Sequence, residues 1–147
     1  PEGAFAGSLY IGTYKWDRDD GETVTTGHSF STRPSSLSFW YEYIPYGTDQ
    51  FKAEIEVRAG SEVIARGQYV PTATGTADSA FRQATINLNY TNTKAKATAI
   101  YVRFLSTTKT SFSSGDFDKN KSIYIGSDSR KAHVGSILYI DDLSLNY

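Results

Sequence analysis

Alternation of apolar and polar residues is the clearest pattern in this chain. In residues 49–59, every second side chain from Phe51 to Ala59 is apolar, and all four side chains between them are charged. Successive side chains of a strand point to opposite faces, so this segment predicts a strand with one buried and one solvated face. Gly60-Ser61 follows with glycine first, which favours a type II′ hairpin turn into an antiparallel return strand.

The segment from Arg33 to Tyr43 carries the largest aromatic face. Pro34 cannot donate a ladder hydrogen bond, so it marks the start of a strand rather than its middle. One face of that strand consists of Leu37, Phe39, Tyr41 and Tyr43. The other face consists of Ser36, Ser38, Trp40 and Glu42. The first face buries a large apolar area, and we therefore predict that the core is built on this strand.

Shorter alternating segments predict further strands separated by polar turns. Strands are predicted over residues 8–14, 28–32, 81–90, 97–105, 122–125 and 135–147, and loops over residues 15–27, 72–79, 106–121 and 126–132. In the last strand the apolar pattern slips by one residue at Asp141-Asp142, which predicts a β-bulge. Short strands without any helical period predict an all-β, antiparallel β-sandwich, although pattern alone does not separate a sandwich from a barrel. The predicted core contains Phe39, Tyr41, Ile55, Val57, Ile86, Leu88, Val102, Phe104, Leu138 and Leu145.

Length, charge and composition narrow the class of protein. The 147 residues suit one domain, which we place at residues 8–147 after a linker or tail at residues 1–7. A net charge of −1 without a basic stretch argues against a nucleic acid partner, and no apolar run is long enough to predict a transmembrane segment. The absence of cysteine excludes disulfides and suits a bacterial envelope protein. Because the chain starts at Pro1 without a signal peptide, we expect a mature or excised segment.

Signatures of catalysis are weak. The sequence has no Gly-x-Ser-x-Gly elbow, no phosphate loop and no His-Glu-x-x-His motif, and neither His28 nor His133 has a recognisable partner. Asp141-Asp142 is the most obvious carboxylate pair of the kind a glycosidase needs. Neighbours on a strand point to opposite faces, however, so only a bulge could direct both at one bond.

Two loops resemble oxygen-ligand metal sites. Asp116, Asp118 and Asn120 place oxygen atoms at every second position, as the start of a calcium loop does, and they predict a structural Ca²⁺ site. This loop lacks the usual glycine at its sixth position, where Lys121 stands, and the usual glutamate at its twelfth, where Ser127 stands. The second loop contains Asp17, Asp19, Asp20 and Glu22. A solvated turn is the alternative interpretation of both.

Four aromatic residues lie outside the core pattern, namely Trp16, Trp40, Tyr46 and Tyr101. Rings on a sheet face or loop can stack on the apolar faces of sugars while polar neighbours bind the hydroxyls. We predict that Trp40 is the stacking platform of a shallow glycan site and that Glu42 fixes the sugar's orientation. Trp16 or Tyr101 is predicted to contribute a second ring. The alternative is that loops or a neighbouring module cover these rings.

Two longer motifs resemble a known family. They are Arg-Pro-Ser-Ser-Leu-Ser-Phe-Trp-Tyr-Glu-Tyr at residues 33–43 and His-Val-Gly-Ser-Ile-Leu-Tyr-Ile-Asp-Asp-Leu at residues 133–143. Both resemble the carbohydrate metabolism domain found at the C-termini of gut-bacterial surface lipoproteins, and the likeness spans most of the chain. The resemblance implies a galactose-binding-like jelly-roll, a secreted or outer-membrane-anchored location at the bacterial cell surface, and a link to glycans. It carries over no catalytic residue.

These observations together predict a non-catalytic carbohydrate-binding module of a secreted surface protein. Its expected partners are a glycan or polysaccharide and other domains of the same protein. The first alternative is a structural or adhesion module whose outer face packs on other domains or subunits. The second alternative is a glycoside hydrolase acting through Asp or Glu.

Overall fold

The structure, a computed structural model, describes residues 6–75, 80–120, 122–125, 128–131 and 134–147. Within these ranges the chain is built from short strands and a single 3₁₀ turn, Ser114–Asp116. The strands are β1 (Ser8–Tyr10), β2 (Gly12–Asp17), β3 (Gly21–Thr26), β4 (His28–Ser29), β5 (Ser36–Ile44), β6 (Lys52–Ala59), β7 (Glu62–Tyr69), β8 (Arg82–Asn87), β9 (Asn89–Tyr90), β10 (Ala99–Leu105), β11 (Ser122–Ile125), β12 (Asp128–Lys131) and β13 (Ile137–Asn146). No helix among the described residues is long and apolar enough to cross a membrane.

Two antiparallel sheets pack together, which confirms the predicted all-β sandwich. The large sheet has the strand order β1-β10-β6-β7-β9, with β4 also paired to β10, and the small sheet has the order β13-β5-β8. Rings join the two layers, since the centroid of Phe39 in the small sheet lies 5.1 Å from that of Phe104 in the large sheet. The predicted central strand is therefore β5, in the middle of the small sheet. The jelly-roll order of connections stays a prediction.

The core follows the predicted alternation. Eight of the ten predicted core residues are buried, namely Phe39, Tyr41, Ile55, Val57, Ile86, Leu88, Val102 and Phe104. The other two, Leu138 and Leu145, are only partly buried. Both lie on β13, which within the described residues is an edge strand of the small sheet and pairs only with β5. An edge position leaves their inward face less covered than that of β5.

The two turn and bulge predictions are confirmed. Ala59 pairs with Glu62 across Gly60-Ser61, and Gly60 has a φ of +60°, as the first turn residue of a II′ hairpin requires. On β13 the register with β5 shifts between Asp141 and Ser144, and Asp142 adopts a φ of +48°. A one-residue bulge of this kind keeps apolar side chains facing inward on both sides of the slip.

Two predicted loops form strands instead. Residues 15–27 lie mostly in the hairpin of β2 and β3, whose turn is held by the Asp17 carboxylate accepting hydrogen bonds from the N–H groups of Asp19 and Asp20 at 2.9 and 3.2 Å. The β-branched run at residues 23–26 favours an extended chain, and this preference outweighs the nearby charges and glycines that predict a loop. Residues 128–131, also predicted as a loop, form β12 paired with β11.

The sandwich closes where the chain passes from β8 in the small sheet to β9 in the large sheet. There β7 approaches β8 very closely. A Cβ atom at Gly67 would lie 2.5 Å from Cγ2 of Ile86 and 2.6 Å from the backbone oxygen of Asn87, so only glycine fits without a shift. This edge also forms one wall of the groove described below.

Candidate functional site

The outward side of the small sheet brings together side chains from three strands. Trp40 on β5 pairs with Asp141 on β13 and with Gln83 on β8, and Glu42 pairs with Tyr139. Directly opposed residues of an antiparallel pair point to the same side of the sheet, so these five side chains share one surface. We call this surface, defined by Trp40, Glu42, Gln83, Tyr139 and Asp141, the aromatic face.

The rings of the aromatic face are open to solvent. Trp40 is 38% exposed and Tyr139 is 48% exposed. Their positions are diagonal neighbours across β5 and β13, a spacing of about 7–8 Å that large rings can bridge. Phe81, the residue before β8, is 43% exposed. The indole predicted as a stacking platform is therefore accessible, and Tyr139 lies next to it.

Most of the hydrogen-bonding capacity of the polar groups beside these rings is unused. Within the part of the chain that the structure describes, the Glu42 carboxylate and the Gln83 amide make no hydrogen bond or ion pair. Asp141 uses one carboxylate oxygen to accept the N–H of Asp142 at 2.8 Å. A carboxylate accepts hydrogen bonds and an amide both accepts and donates them, so the face offers a ligand both kinds of partner.

The serine end of the same surface is filled rather than empty. Ser36 and Ser38 are buried, and the amide nitrogen of Asn146 donates to both hydroxyls at 2.9 and 3.0 Å. Asn146 occupies that position because the β13 bulge restores its pairing with Ser36. Asn146 therefore covers the two serines, and they leave no open space for a flat ligand beside Trp40.

Tyr139 is a functional candidate that the sequence reasoning did not single out. A signal for it exists, since Leu138 and Ile140 alternate inward and leave Tyr139 outward. Its proximity to Trp40 has no such signal. That proximity depends on the register between two strands that lie about 100 residues apart in the chain.

The other predicted rings lie elsewhere. Tyr101 is on the outward side of the large sheet, where the Arg58 guanidinium lies 4.3 Å from the centroid of its ring and Gly27 packs against the ring. The structure thus places Tyr101 on the opposite side of the sandwich from Trp40 and does not bring the two rings together. Trp16 lies on β2 opposite Glu22, and the side chains of both are outside the described residues.

Ion pairs cover the outward side of the large sheet. Glu54 accepts hydrogen bonds from Lys52 and Arg103, and Glu56 accepts hydrogen bonds from Arg58 and Arg66. Partial burial raises the pKa of Glu54, but hydrogen bonds from Lys52 and Arg103 outweigh it and leave this pKa below its usual value. A glycoside hydrolase needs one carboxyl that acts as the acid, whereas Glu54 and Glu56 are each held in ion pairs with two cations. This pair of carboxylates therefore gives the hydrolase alternative no support.

A groove of about 840 Å³ runs beside these ion pairs. Its walls come from β6, β7, β9 and β10 of the large sheet and from β8 of the small sheet. We call it the polar groove. Its side chains include Glu54, Glu56, Arg66, Gln68, Asn87, Asn89 and Arg103. Drug-sized ligands occupy sites of about 300–1,000 Å³, so the polar groove is large enough for a short sugar chain.

The predicted calcium ligands already have partners. The Asp116 carboxylate forms an ion pair with Lys109 and accepts hydrogen bonds from the backbone and hydroxyl of Ser113 at 2.6 and 3.0 Å. The hydrogen bond from Lys109, reinforced by Ser113, lowers the pKa of Asp116 to about 2. Asp118 accepts the N–H of Asn120 at 2.9 Å. A calcium ion at this loop would have to displace Lys109, and the site stays a prediction.

The remaining candidates from the sequence show no clustering. Among the described residues, no group of three or more His, Asp or Glu side chains could hold a metal ion. In the second acidic loop, hydrogen bonds from the backbone of Asp19 and Asp20 lower the pKa of Asp17. His28 is exposed on β4, and His133 lies outside the described residues.

A small cavity of about 200 Å³ lies where loops meet the start of β13. Tyr46, the fourth ring outside the core pattern, lines it and is partly exposed. The buried Asp49 carboxylate accepts hydrogen bonds from the hydroxyls of Thr107 and Ser136, both at 2.7 Å. These polar groups bind one another and tie three loops together, so they serve the fold.

No family model matches the chain, and no curated protein matches it. The resemblance carried by residues 33–43 and 133–143 therefore stays a prediction. The aromatic face and the polar groove are the two candidate binding surfaces of the chain.

Proposed function

We propose that this chain is a non-catalytic carbohydrate-binding module and that the aromatic face is its binding surface. The observation that carries the proposal is the pair of exposed rings, Trp40 and Tyr139, with the unengaged side chains of Glu42 and Gln83 beside them. A sugar presents an apolar C–H face and a rim of hydroxyls. The rings of Trp40 and Tyr139 can stack on the C–H face, and the Glu42 carboxylate and Gln83 amide can hydrogen-bond to the hydroxyls.

The composition of this face favours a sugar over a protein partner. The fully buried core of a protein–protein interface is depleted in charged residues. Here Glu42 and Asp141 lie directly between and beside the rings, so a protein covering Trp40 and Tyr139 would also bury two carboxylates. Sugar hydroxyls would instead hydrogen-bond to those carboxylates. The resemblance to surface lipoprotein domains supports the same function and implies a location at the bacterial cell surface.

A glycan array probed with the purified domain tests the proposal and identifies the sugar. The binding constant of each glycan found is then measured by calorimetry for the wild type and for Trp40→Ala. Stacking of a ring contributes on the order of 1–3 kcal/mol, so Trp40→Ala should weaken binding by about tenfold or more. Tyr14→Ala is the matched control, since Tyr14 is 59% exposed on the β2–β3 hairpin and should leave binding unchanged.

Three results would contradict the proposal. The array could show no glycan bound above background. Trp40→Ala could bind as tightly as the wild type. Finally, Trp40→Ala could lower the melting temperature or change the oligomeric state without changing glycan affinity, which would favour a structural or adhesion module.

A further inference from the structure

The polar groove contains hydrogen-bond donors that the fold does not use. Arg66 donates only its Nε to Glu56, at 3.1 Å, and its side chain is 70% exposed. Neither of its terminal amino groups makes a hydrogen bond within the described residues. The side-chain amides of Gln68 and Asn89 are likewise unengaged in this part of the chain. The groove therefore has a free guanidinium fork and two free amides.

Strand geometry brings these three side chains together. Asn89 on β9 pairs directly with Arg66 on β7, so the two side chains project from the same side of the large sheet. Gln68 lies two residues beyond Arg66 on the same strand and points the same way. All three line the polar groove. They form a convergent set of donors rather than scattered surface groups.

The charge around the groove is positive. Of the charged side chains that line the groove, Lys52, Arg66 and Arg103 are positive, and Glu54 and Glu56 are negative. The lining therefore has an excess of one positive charge, although the whole chain carries −1. A fork of guanidinium donors matches the geometry of a carboxylate or sulfate group.

We propose that the polar groove binds an anionic sugar unit, with Arg66 gripping its carboxylate or sulfate and Gln68 and Asn89 binding its hydroxyls. This inference deepens the proposed function and rests on the chain being a glycan-binding module. It assigns that module an acidic rather than a neutral glycan. The groove is a second contact surface, separate from the rings of the aromatic face.

The lining favours a sugar over a nucleic acid. Its groups beside the charges are amides and a hydroxyl, from Gln68, Asn87, Asn89 and Thr85, which pair with sugar hydroxyls. Base-stacking rings of the kind that bind single-stranded nucleic acid do not line the groove in the described structure. Random single-stranded DNA is therefore included as a competing ligand in the test.

The test uses charged and uncharged forms of the same polymer with the intact chain. Oligogalacturonate and its methyl ester report on a carboxylate, and dextran sulfate and dextran report on a sulfate. We expect one charged probe to bind at least about tenfold more tightly than its uncharged form, and less tightly as salt is raised. Arg66→Gln should remove about tenfold of that affinity.

Arg58→Gln is the matched control, because Arg58 pairs with the same Glu56 on the same face but does not line the polar groove. It should change the affinity for the charged probe by less than about twofold. Equal losses in the two variants would overturn the inference, as would equal binding of charged and uncharged probes or equally tight binding of the DNA. Trp40→Ala separates the two proposals, since a loss in that variant alone would leave the aromatic face supported and reject the groove.

Discussion

Replacing Gly67 by alanine tests how closely β7 packs against β8 at the edge where the chain changes sheets. The new Cβ would lie 2.5 Å from Cγ2 of Ile86 and 2.6 Å from the backbone oxygen of Asn87. Carbon atoms pack best at about 3.5–4.0 Å, so the Ile86 methyl carbon would be about 1 Å too close, and the Asn87 oxygen would also lie inside normal contact distance. Ile86 is buried and the oxygen belongs to the backbone, so neither can move aside without shifting β8.

Whether Gly67→Ala raises or lowers the free energy of unfolding depends on the balance between reduced freedom of the unfolded chain and overpacking of the folded protein. At an unstrained site, glycine to alanine stabilises a protein by about 0.4–1 kcal/mol, because the unfolded chain loses freedom. Overpacking of a closely packed site costs about 1–3 kcal/mol. Two simultaneous clashes, one with backbone, place Gly67→Ala toward the upper part of that range. We expect the free energy of unfolding to fall by about 1–2 kcal/mol.

Urea unfolding followed by circular dichroism measures this change. Gly115→Ala is the control, since among the described residues its Cβ would meet only the hydroxyl oxygen of Ser113, at an ordinary 3.7 Å. That variant should stay within about 0.5 kcal/mol of the wild type. If Gly67→Ala proved as stable as the wild type, the close approach of β7 to β8 would be wrong, and with it this wall of the polar groove.

Two further predictions concern the core and the loops. Ile55→Ala should lower the free energy of unfolding by about 2–5 kcal/mol, because Ile55 is buried between the sheets, and an unchanged urea midpoint would contradict the assigned register. Hydrogen bonding from Lys109 and Ser113 lowers the pKa of Asp116 to about 2 in the folded protein, below its value in the unfolded chain. The ionised Asp116 therefore stabilises the fold fully above a pH of about 4, and this contribution is lost as the pH falls through about 2. The melting temperature of Asp116→Asn should therefore lie below that of the wild type at neutral pH and meet it near pH 2, whereas a constant gap would refute the linkage.

The strands of the sandwich follow from local pattern, and the exceptions have local physical causes. In β6, charge alternates with apolar side chains over a whole strand, so its faces are unambiguous. In the hairpin of β2 and β3, carboxylates and glycines indicated a loop, whereas an Asx-type turn at Asp17 and a β-branched run produce two strands. Adjacent burial of Ile64 and Ala65 breaks strict alternation because the register shifts between Val57 and Arg58. The sequence of either strand alone does not reveal this shift, because it arises from the pairing of β6 with β7.

The candidate sites depend on pairing between distant strands, which local pattern does not supply. The sequence indicates that Trp40 and Glu42 point away from the core, and the structure agrees. It gives no sign that Tyr139 lies beside them, or that Tyr101 lies on the other side of the sandwich. The face to which a side chain points alternates along a single strand, so local sequence predicts it. The sheet to which a strand belongs depends on which other strands pair with it, and local sequence does not supply that pairing.

Strand β8 shows why both surfaces need the whole topology. Its outward residues include Gln83, beside Trp40, and then Thr85 and Asn87, which line the polar groove. Four residues of strand span about 13 Å, so the platform and the groove lie within reach of one short sugar chain. This continuity exists because β8 leaves the small sheet at Leu88 and continues as β9 next to Arg66. Had β8 stayed at the edge of one sheet, the exposed indole of Trp40 and the guanidinium of Arg66 would occupy unrelated surfaces.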